Sequence, residues 1–320
     1  MNRFDVFNGD ADGICALHQL RLAEPAASIL ITGTKREIDL LRRVPAADGA
    51  QVTVLDVSFD VNRAAALALL EAGARIAWFD HHFAGDLPAH PALEAHIDLS
   101  PKVCTSLLVD RYLNGAHRAW AVTAAFGDNL AGPAREAAQP LRLSASALAE
   151  LQVLGELINY NAYGDTVADL HFAPERLYRA LQRYADPLEF ARKSPEAARL
   201  REGFTADLTS AAGTEPILDV PAGRVFRFPD RAWARRVMGI YANRLAGETP
   251  RRATALVVAN PDGSLRISVR APPERPQGAD ALCRAFPTGG GRAGAAGINA
   301  LPAGELPKFL EAFGAAFAPR

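Results

Sequence analysis

Short apolar runs alternate with amphipathic stretches through the first part of the chain. Phe4–Asn8, Ser28–Gly33, Val52–Val57 and Arg75–Phe79 are rich in Val, Ile, Leu and Phe and bounded by polar or small residues, which reads as strand. Between them, Gly13–Ala23 sets Ile14, Leu17, Leu20 and Arg21 at helical spacing, Glu37–Arg43 reads as helix, and Asn62–Gly73 is an Ala/Leu helix stopped by glycine. His96–Leu99 suggests a short strand, Thr105–Asn114 a helix, and Ala119–Phe126 a further apolar segment. This alternation predicts an α/β fold with a mostly parallel sheet and flanking helices. From Ser144 to about Ala212 the pattern is helical, and Thr214–Gly223 carries turn signals. Beyond them the sequence predicts a strand (Arg224–Phe228), a helix (Ala232–Ala246) and a hairpin, Ala255–Ala259 and Leu265–Arg270, around Asn260-Pro261-Asp262-Gly263. A helix near Ala279–Phe286, a loop at Thr288–Arg292 and an amphipathic helix from Ala303 complete it. The expectation is a domain with a helical extension and connector over 1–213, then a smaller α/β domain over 214–320.

The length, 320 residues, suits two such domains. Cys15, Cys104 and Cys283 are odd in number and far apart, so they suggest neither a disulfide framework nor a metal-ligand pair. With no leading signal segment and no apolar run long enough to span a bilayer, the expected location is the cytoplasm, away from membranes. The chain carries a net charge of −1, which argues against coating long nucleic acids by charge alone. From Pro221 onward, however, 15 Lys/Arg face 7 Asp/Glu, so this part is +8 and the rest −9. An acidic part that could hold cations and a basic part that could hold anions suit a metal enzyme acting on phosphates.

Four acid-bearing segments carry the chemistry. Asn8-Gly9-Asp10-Ala11-Asp12-Gly13 puts two carboxylates in one strand-to-helix turn, though alone it could be a helix cap. Asp56 lies inside the apolar strand Val52–Val57, where a carboxylate is costly to bury unless paired or metal-bound, though alone it could be a strand-end acid in water. Asp80-His81-His82 follows Trp78-Phe79 and combines carboxylate with imidazole, as divalent metals favour. Asp128 follows the apolar Ala125-Phe126. Asp165 and Asp169 compete with Asp128 for the fourth position, and Asp128 is preferred for its Gly-Asp spelling directly after an apolar segment. If four acid-bearing strand ends converge on one crevice, their mutual repulsion calls for cations, and two divalent ions would supply the charge. Thr105 and Ser106 read as helix caps at a terminus that could also hold phosphate, and His18 as an ordinary polar-face residue.

In this order the motifs NGDADG, VLD, FDHH and FGD resemble the DHH phosphoesterase superfamily, including its RecJ and nano-RNA hydrolase branches. The C-terminal part resembles its DHH-associated domain, through Leu265-Arg266-Ile267-Ser268-Val269-Arg270 and the glycine run Gly289–Arg292 leading to Ala295-Ala296-Gly297. The resemblance implies two divalent ions, Mn²⁺ first and Mg²⁺ or Co²⁺ as alternatives. It also implies hydrolysis of phosphate esters in short oligonucleotides or small nucleotides. It gives Asp10 and Asp12 one metal each, with Asp56 bridging and His81 and Asp128 completing ligation. His82 would stand by the scissile phosphate and Asp80 would orient a histidine. Ser268, Arg270, the Gly290 and Gly291 amides, and Arg292 would grip the substrate, with Asn8 touching a metal-bound water or phosphate oxygen. Relatives carry histidine or aspartate just upstream of the Asp-x-Asp pair, where Asn8 adds no charge, and histidine where Arg292 stands. A phosphoanhydride hydrolase and a non-catalytic nucleotide or nucleic-acid binder are the alternatives, and a homodimer is compatible with either.

Overall fold

The computed structural model describes residues 2–318. Their contacts divide into two units, the first ending at Gly203 and the second starting at Phe204, inside one long helix. The first unit opens with β1 (Arg3–Asn8), α1 (Ala11–Ala23), β2 (Ile29–Gly33), β3 (Gln51–Leu55), α2 (Phe59–Glu71), β4 (Arg75–Asp80) and β5 (Leu93–Ile97). The five strands form one sheet in the order β2-β1-β3-β4-β5, every pair parallel. Helices follow: α3 (Thr105–Tyr112), α4 (Arg118–Gly127), α5 (Ala131–Ala138), α6 (Ala145–Ala162), α7 (Pro174–Leu181), α8 (Pro187–Lys193) and α9 (Pro195–Ala212).

Alternation along the strands fixes the two faces of the sheet. Val6, Val52, Val54, Ile76 and Trp78 share one core with Phe59, Leu69 and Leu70 of α2. On the other side, α1 is buried without a break from Ala11 to Leu20. A helix enclosed on all sides has little amphipathic stripe, and α1 packs on β1 as well as on α3, α4 and α6. The chain leaves β1 for β2 on one side, then returns to place β3 on the other. In open α/β sheets, the crevice at the C-terminal ends of such a strand pair is where ligands bind. Asp10 and Asp56 stand just past those two ends.

Three readings are corrected in this unit. Glu37–Arg43 is not a helix; only Leu40–Arg43 forms a 3₁₀ turn. The Glu37 carboxylate accepts the Thr34 N–H, while the Asn62 amide accepts from Leu41 N and donates to Ile38 O, so tertiary partners take the groups a helix would pair. Ala119–Phe126 lies within α4, so Asp128 caps a helix and is not at a strand end. His18 is buried: its ring meets Trp120 edge-on and Nε2 lies 2.8 Å from the Tyr184 carbonyl.

The second unit contains β6 (Pro216–Val220), β7 (Gly223–Arg227), α10 (Ala232–Glu248), β8 (Ala253–Ala259), β9 (Leu265–Arg270), α11 (Ala279–Arg284), β10 (Gly289–Arg292), β11 (Ala295–Leu301) and α12 (Leu306–Ala316). Its six strands run β10-β11-β9-β8-β7-β6; β7 and β8 are parallel and all other pairs antiparallel. Val257, Ile267, Val269 and Ile298 face a core closed by α11 and by Phe309 and Phe313 of α12. Two segments read as turn and loop are strands. Pro216–Val220 pairs with β7, and Gly289–Arg292 pairs with β11 as the edge strand. Glycine has no strand preference of its own, so neighbouring strands impose the extended form.

Candidate metal centre

The crevice past β1 and β3 gathers five carboxylates, two imidazoles and one ammonium. Asp10 caps α1: its Oδ1 accepts from Asp12 N (2.9 Å) and Gly13 N (3.1 Å). Asn8, at the end of β1, accepts the Asp10 N–H on its own Oδ1 (3.2 Å), which tightens the turn. A Cβ on Gly13 would lie 2.2 Å from the Asn8 carbonyl oxygen, so only glycine lets the helix start there. Asp12 is buried and capped by a different helix. Thr105 N and Ser106 N, the first amides of α3, donate to its two oxygens at 2.7 Å each. The α3 terminus thus binds a carboxylate from 93 residues earlier in the chain.

Asp56 follows β3 with a left-handed backbone, φ +58°, a strained conformation of the kind that accumulates at functional sites. Its N–H donates to Phe79 O (3.0 Å) and its Oδ1 accepts from the Thr105 hydroxyl (3.2 Å). Burial, and after it the charges of Asp10, Asp12, Asp80 and Asp128, push its carboxyl well above the ordinary range. Asp128, at the C-terminus of α4, is pushed up to about 6 by burial and by Asp12, against the opposing pull of Lys35. Close helix packing places it: a Cβ on Gly155 of α6 would lie 2.0 Å from Thr123 O of α4. Asp165 instead faces Arg36 at 3.7 Å, and Asp169 accepts the Asp165 and Thr166 amides.

The two histidines differ. His81 Nδ1 lies 2.9 Å from the Val103 carbonyl, which can only accept, so Nδ1 carries the proton. Nε2 then points at Asp56 Oδ1 (3.4 Å) and Asp12 Oδ2 (3.9 Å). Half-exposed His82 holds its Nδ1 2.7 Å from Asp80 Oδ1. That hydrogen bond, more than burial opposes it, raises the His82 pKa. The other Asp80 oxygen is buried without a hydrogen-bond partner among the described residues.

Lys35, in the turn after β2, was not singled out from sequence. Its ammonium pairs with Asp10 Oδ2 and lies 3.5 Å from Asp128 Oδ1 and 3.3 Å from Asn159 Oδ1. Burial alone would depress its pKa; Asp10 reverses this and holds it well above the ordinary lysine value. A cavity of about 210 Å³ opens among Asn8, Asp10, Lys35, Asp56, His81, His82 and Asp128.

The donor set suits divalent metal. Asp56, His81 and His82 form one group whose donor atoms lie within 4.8 Å of one another, and Asp12, His81 and Asp128 form another. Five acids with one lysine leave a large negative excess, and carboxylate with imidazole is the chemistry such ions prefer. Asp80, the partner of His82, is the carboxylate behind an imidazole that such sites use for orientation.

Several solved structures share this architecture. A DHH-domain member of the s1p family of ribosomal proteins superposes with a TM-score of 0.61 at 15% identity, over 98% of this chain and 86% of that one. A manganese-bound RecJ exonuclease gives 0.53 at 22% identity, over 99% and 90%. The pGpG-specific phosphodiesterase PggH from Vibrio cholerae gives 0.54 at 14%, over 99% and 100%. The chain has the DHH fold. No protein-family model matches the sequence, and no curated protein does.

The Asp80-His81-His82 triplet stands at the C-terminal end of β4, with Asp80 the last residue of the strand. The remaining candidate residues of this DHH-fold chain lie in the second unit. Ser268 and Arg270 share one face of β9; cross-strand register puts Gly297 beside Ser268 and Gly290 beside Gly297, and Ala295 between Arg270 and Arg292. Arg270 donates to Asn243 Oδ1 (2.5 Å) and Ser268 Oγ (3.0 Å). A Cβ on Gly290 would meet nothing within 4 Å, so the space above Gly290 is open. Gly290 and Gly291 lie in an edge strand, whose alternate amides point away from the sheet, and do not form a concave loop. No helix among the described residues is long and apolar enough to cross a membrane.

Proposed function

We propose that this chain is a divalent-metal phosphoesterase hydrolysing short oligonucleotides or small nucleotides. One observation carries the reading: His81 Nε2, its proton placed on the other nitrogen by Val103, faces two carboxylate oxygens. An imidazole nitrogen and two carboxylate oxygens turned toward one another need a proton or a metal ion among them, and this donor set suits a divalent ion. The complement implied by the DHH resemblance is two ions, Mn²⁺ ahead of Mg²⁺ or Co²⁺. Asp12, Asp56, His81 and Asp128 would hold metal, which supplies activation of water and neutralisation of phosphate charge.

The other residues support that chemistry. His82, whose pKa is raised by its hydrogen bond to Asp80, can deliver a proton to the departing oxygen. The α3 amides and the Thr105 hydroxyl hold Asp12 and Asp56 in position before substrate arrives. The cavity, about 210 Å³, has room for a phosphoryl group but is below the usual size of a nucleotide pocket. The Arg270/Arg292 face of the second unit is proposed to bind phosphate by fork-like hydrogen bonds.

A substrate panel tests this: pApA, phosphoadenosine phosphate, cyclic dinucleotides, single-stranded DNA and pyrophosphate, each with Mn²⁺, Mg²⁺ and Co²⁺. Metal-dependent release from the short nucleotides is expected. Turnover of pyrophosphate alone would make the chain a phosphoanhydride hydrolase, and turnover of none would overturn the reading.

A further inference from the structure

We infer that Lys35 is a built-in cation occupying one of the two cation positions of the cluster, so that the protein binds one divalent ion tightly where the arrangement of carboxylates has room for two. The inference rests on the metal-centre reading above and specifies its stoichiometry.

An ammonium has three N–H donors and no acceptor. Lys35 Nζ has three oxygens around it, from Asp10, Asp128 and Asn159. Its donors are therefore matched by a shell of oxygen ligands such as a small cation would take. The backbone on either side is held as well: Lys35 N donates to Ala162 O at 3.1 Å, and Thr34 N to the Glu37 carboxylate at 2.8 Å. The side chain is only 26% exposed, so it is seated in the site and does not lie over it.

Asp10 differs from Asp12 in already facing a cation. One of its oxygens accepts two amides of α1 and the other carries Lys35. Both donor groups that could hold a metal leave Asp10 out, and both include His81. The neighbouring Asn8 points the same way. It is neutral, and its amide oxygen is taken by Asp10 N. A carboxylate engaged by lysine and a neutral residue at the head of the turn both weaken the field that a divalent ion would need on this side. On the other side, Asp12, Asp56 and His81 lie outside the shell of Lys35, and Asp128 borders both sides.

Topology explains why lysine can do this. β2 pairs with β1 in parallel, with Asn8 level with Gly33, so the turn after β2 lies beside the turn that carries Asp10. A long side chain two residues past Gly33 reaches the carboxylate without distorting either turn.

The test is metal stoichiometry, read by calorimetric titration of the metal-free full chain with Mn²⁺ and by electron paramagnetic resonance. Wild type should take up one tight ion and give an uncoupled spectrum. Lys35→Gln and Lys35→Ala should each take up a second ion at least about tenfold more tightly than wild type does, with an exchange-coupled signal. Asn8→Asp combined with Lys35→Gln should tighten it further. Thermal melts establish that each variant is folded, and the glutamine variant keeps a hydrogen-bonding group where alanine leaves none. Two equally tight ions in wild type, with no change on removing the lysine, would overturn the inference while leaving the metal centre standing. Absence of binding in wild type and in every folded variant would overturn the metal centre itself.

Discussion

Replacing Asp128 by asparagine should stabilise the metal-free protein and lose most of that gain when metal binds. Burial, then the charge of Asp12, pushes the Asp128 carboxyl from 3.8 to about 6, and the group stays mostly shielded, with its side chain 22% exposed. A tenfold change in proton affinity is worth about 1.4 kcal/mol, so ionising this group in the folded, metal-free site costs about 3 kcal/mol relative to the unfolded chain. The sign follows from proton linkage. Because the folded pKa is raised, the folded state holds the proton more tightly, and stability is lost as pH climbs from the unfolded value through the folded one. Asparagine removes that loss, gaining about 3 kcal/mol at about pH 7.5 and only about 1 kcal/mol at about pH 4.5. For a unit of this size the larger gain is about 6–12 °C in melting temperature. Losing one ligand weakens Mn²⁺ binding roughly 10–100-fold, and by linkage that difference, about 1.4–2.8 kcal/mol, is subtracted from the metal-free gain, so saturating Mn²⁺ shrinks the asparagine advantage at about pH 7.5 from about 3 to about 0–2 kcal/mol. Urea titrations in EDTA and in Mn²⁺, followed by the fluorescence of Trp78 and Trp120 in a Trp233→Phe background, read this in the first unit. An asparagine variant less stable than wild type in EDTA at both pH values, or a difference that metal leaves untouched, would refute the reasoning.

The other predictions concern the same site. Asp56→Asn should retain the fold, since asparagine tolerates the left-handed backbone at φ +58°, yet lower metal-dependent hydrolysis at least about 100-fold; circular dichroism with steady-state rates checks both. Asp80→Asn removes the main cause of the raised His82 pKa, so the His82 limb of the pH–rate profile should move to lower pH, with kcat reduced. Gly155→Ala would set a methyl 2.0 Å from Thr123 O, costing about 1–3 kcal/mol in a melt and weakening Mn²⁺ binding by displacing Asp128; an unchanged affinity would detach that packing from the site.

How much was legible in sequence depended on how local each signal was. Asp10, Asp56 and Asp80 were readable because each follows an apolar strand, and a parallel sheet sends such residues to one edge. Asp128 was singled out, but its element was not: an Ala-rich apolar run such as Ala119–Phe126 does not distinguish strand from helix by periodicity. Glu37–Arg43 had helical spacing, and the distant Asn62 side chain overrode it. Thr105 and Ser106 were taken as caps by their side chains, whereas their amides bind Asp12 from another part of the chain. Lys35 and Asn159 left no signal. One is a lone lysine in a turn and the other a polar residue in a long helix; only the pairing of β2 with β1 and the packing of α6 on α4 bring them to the acids.

The central claim is that these acids and His81 come together to hold a divalent ion. Anomalous diffraction from crystals soaked in Mn²⁺ tests it most directly. The expected result is a peak roughly 2.0–2.3 Å from His81 Nε2 and in reach of Asp56, Asp12 or Asp128 oxygens, with Nδ1 still on the Val103 carbonyl. Manganese bound elsewhere on the molecule and absent from this cluster would contradict the account.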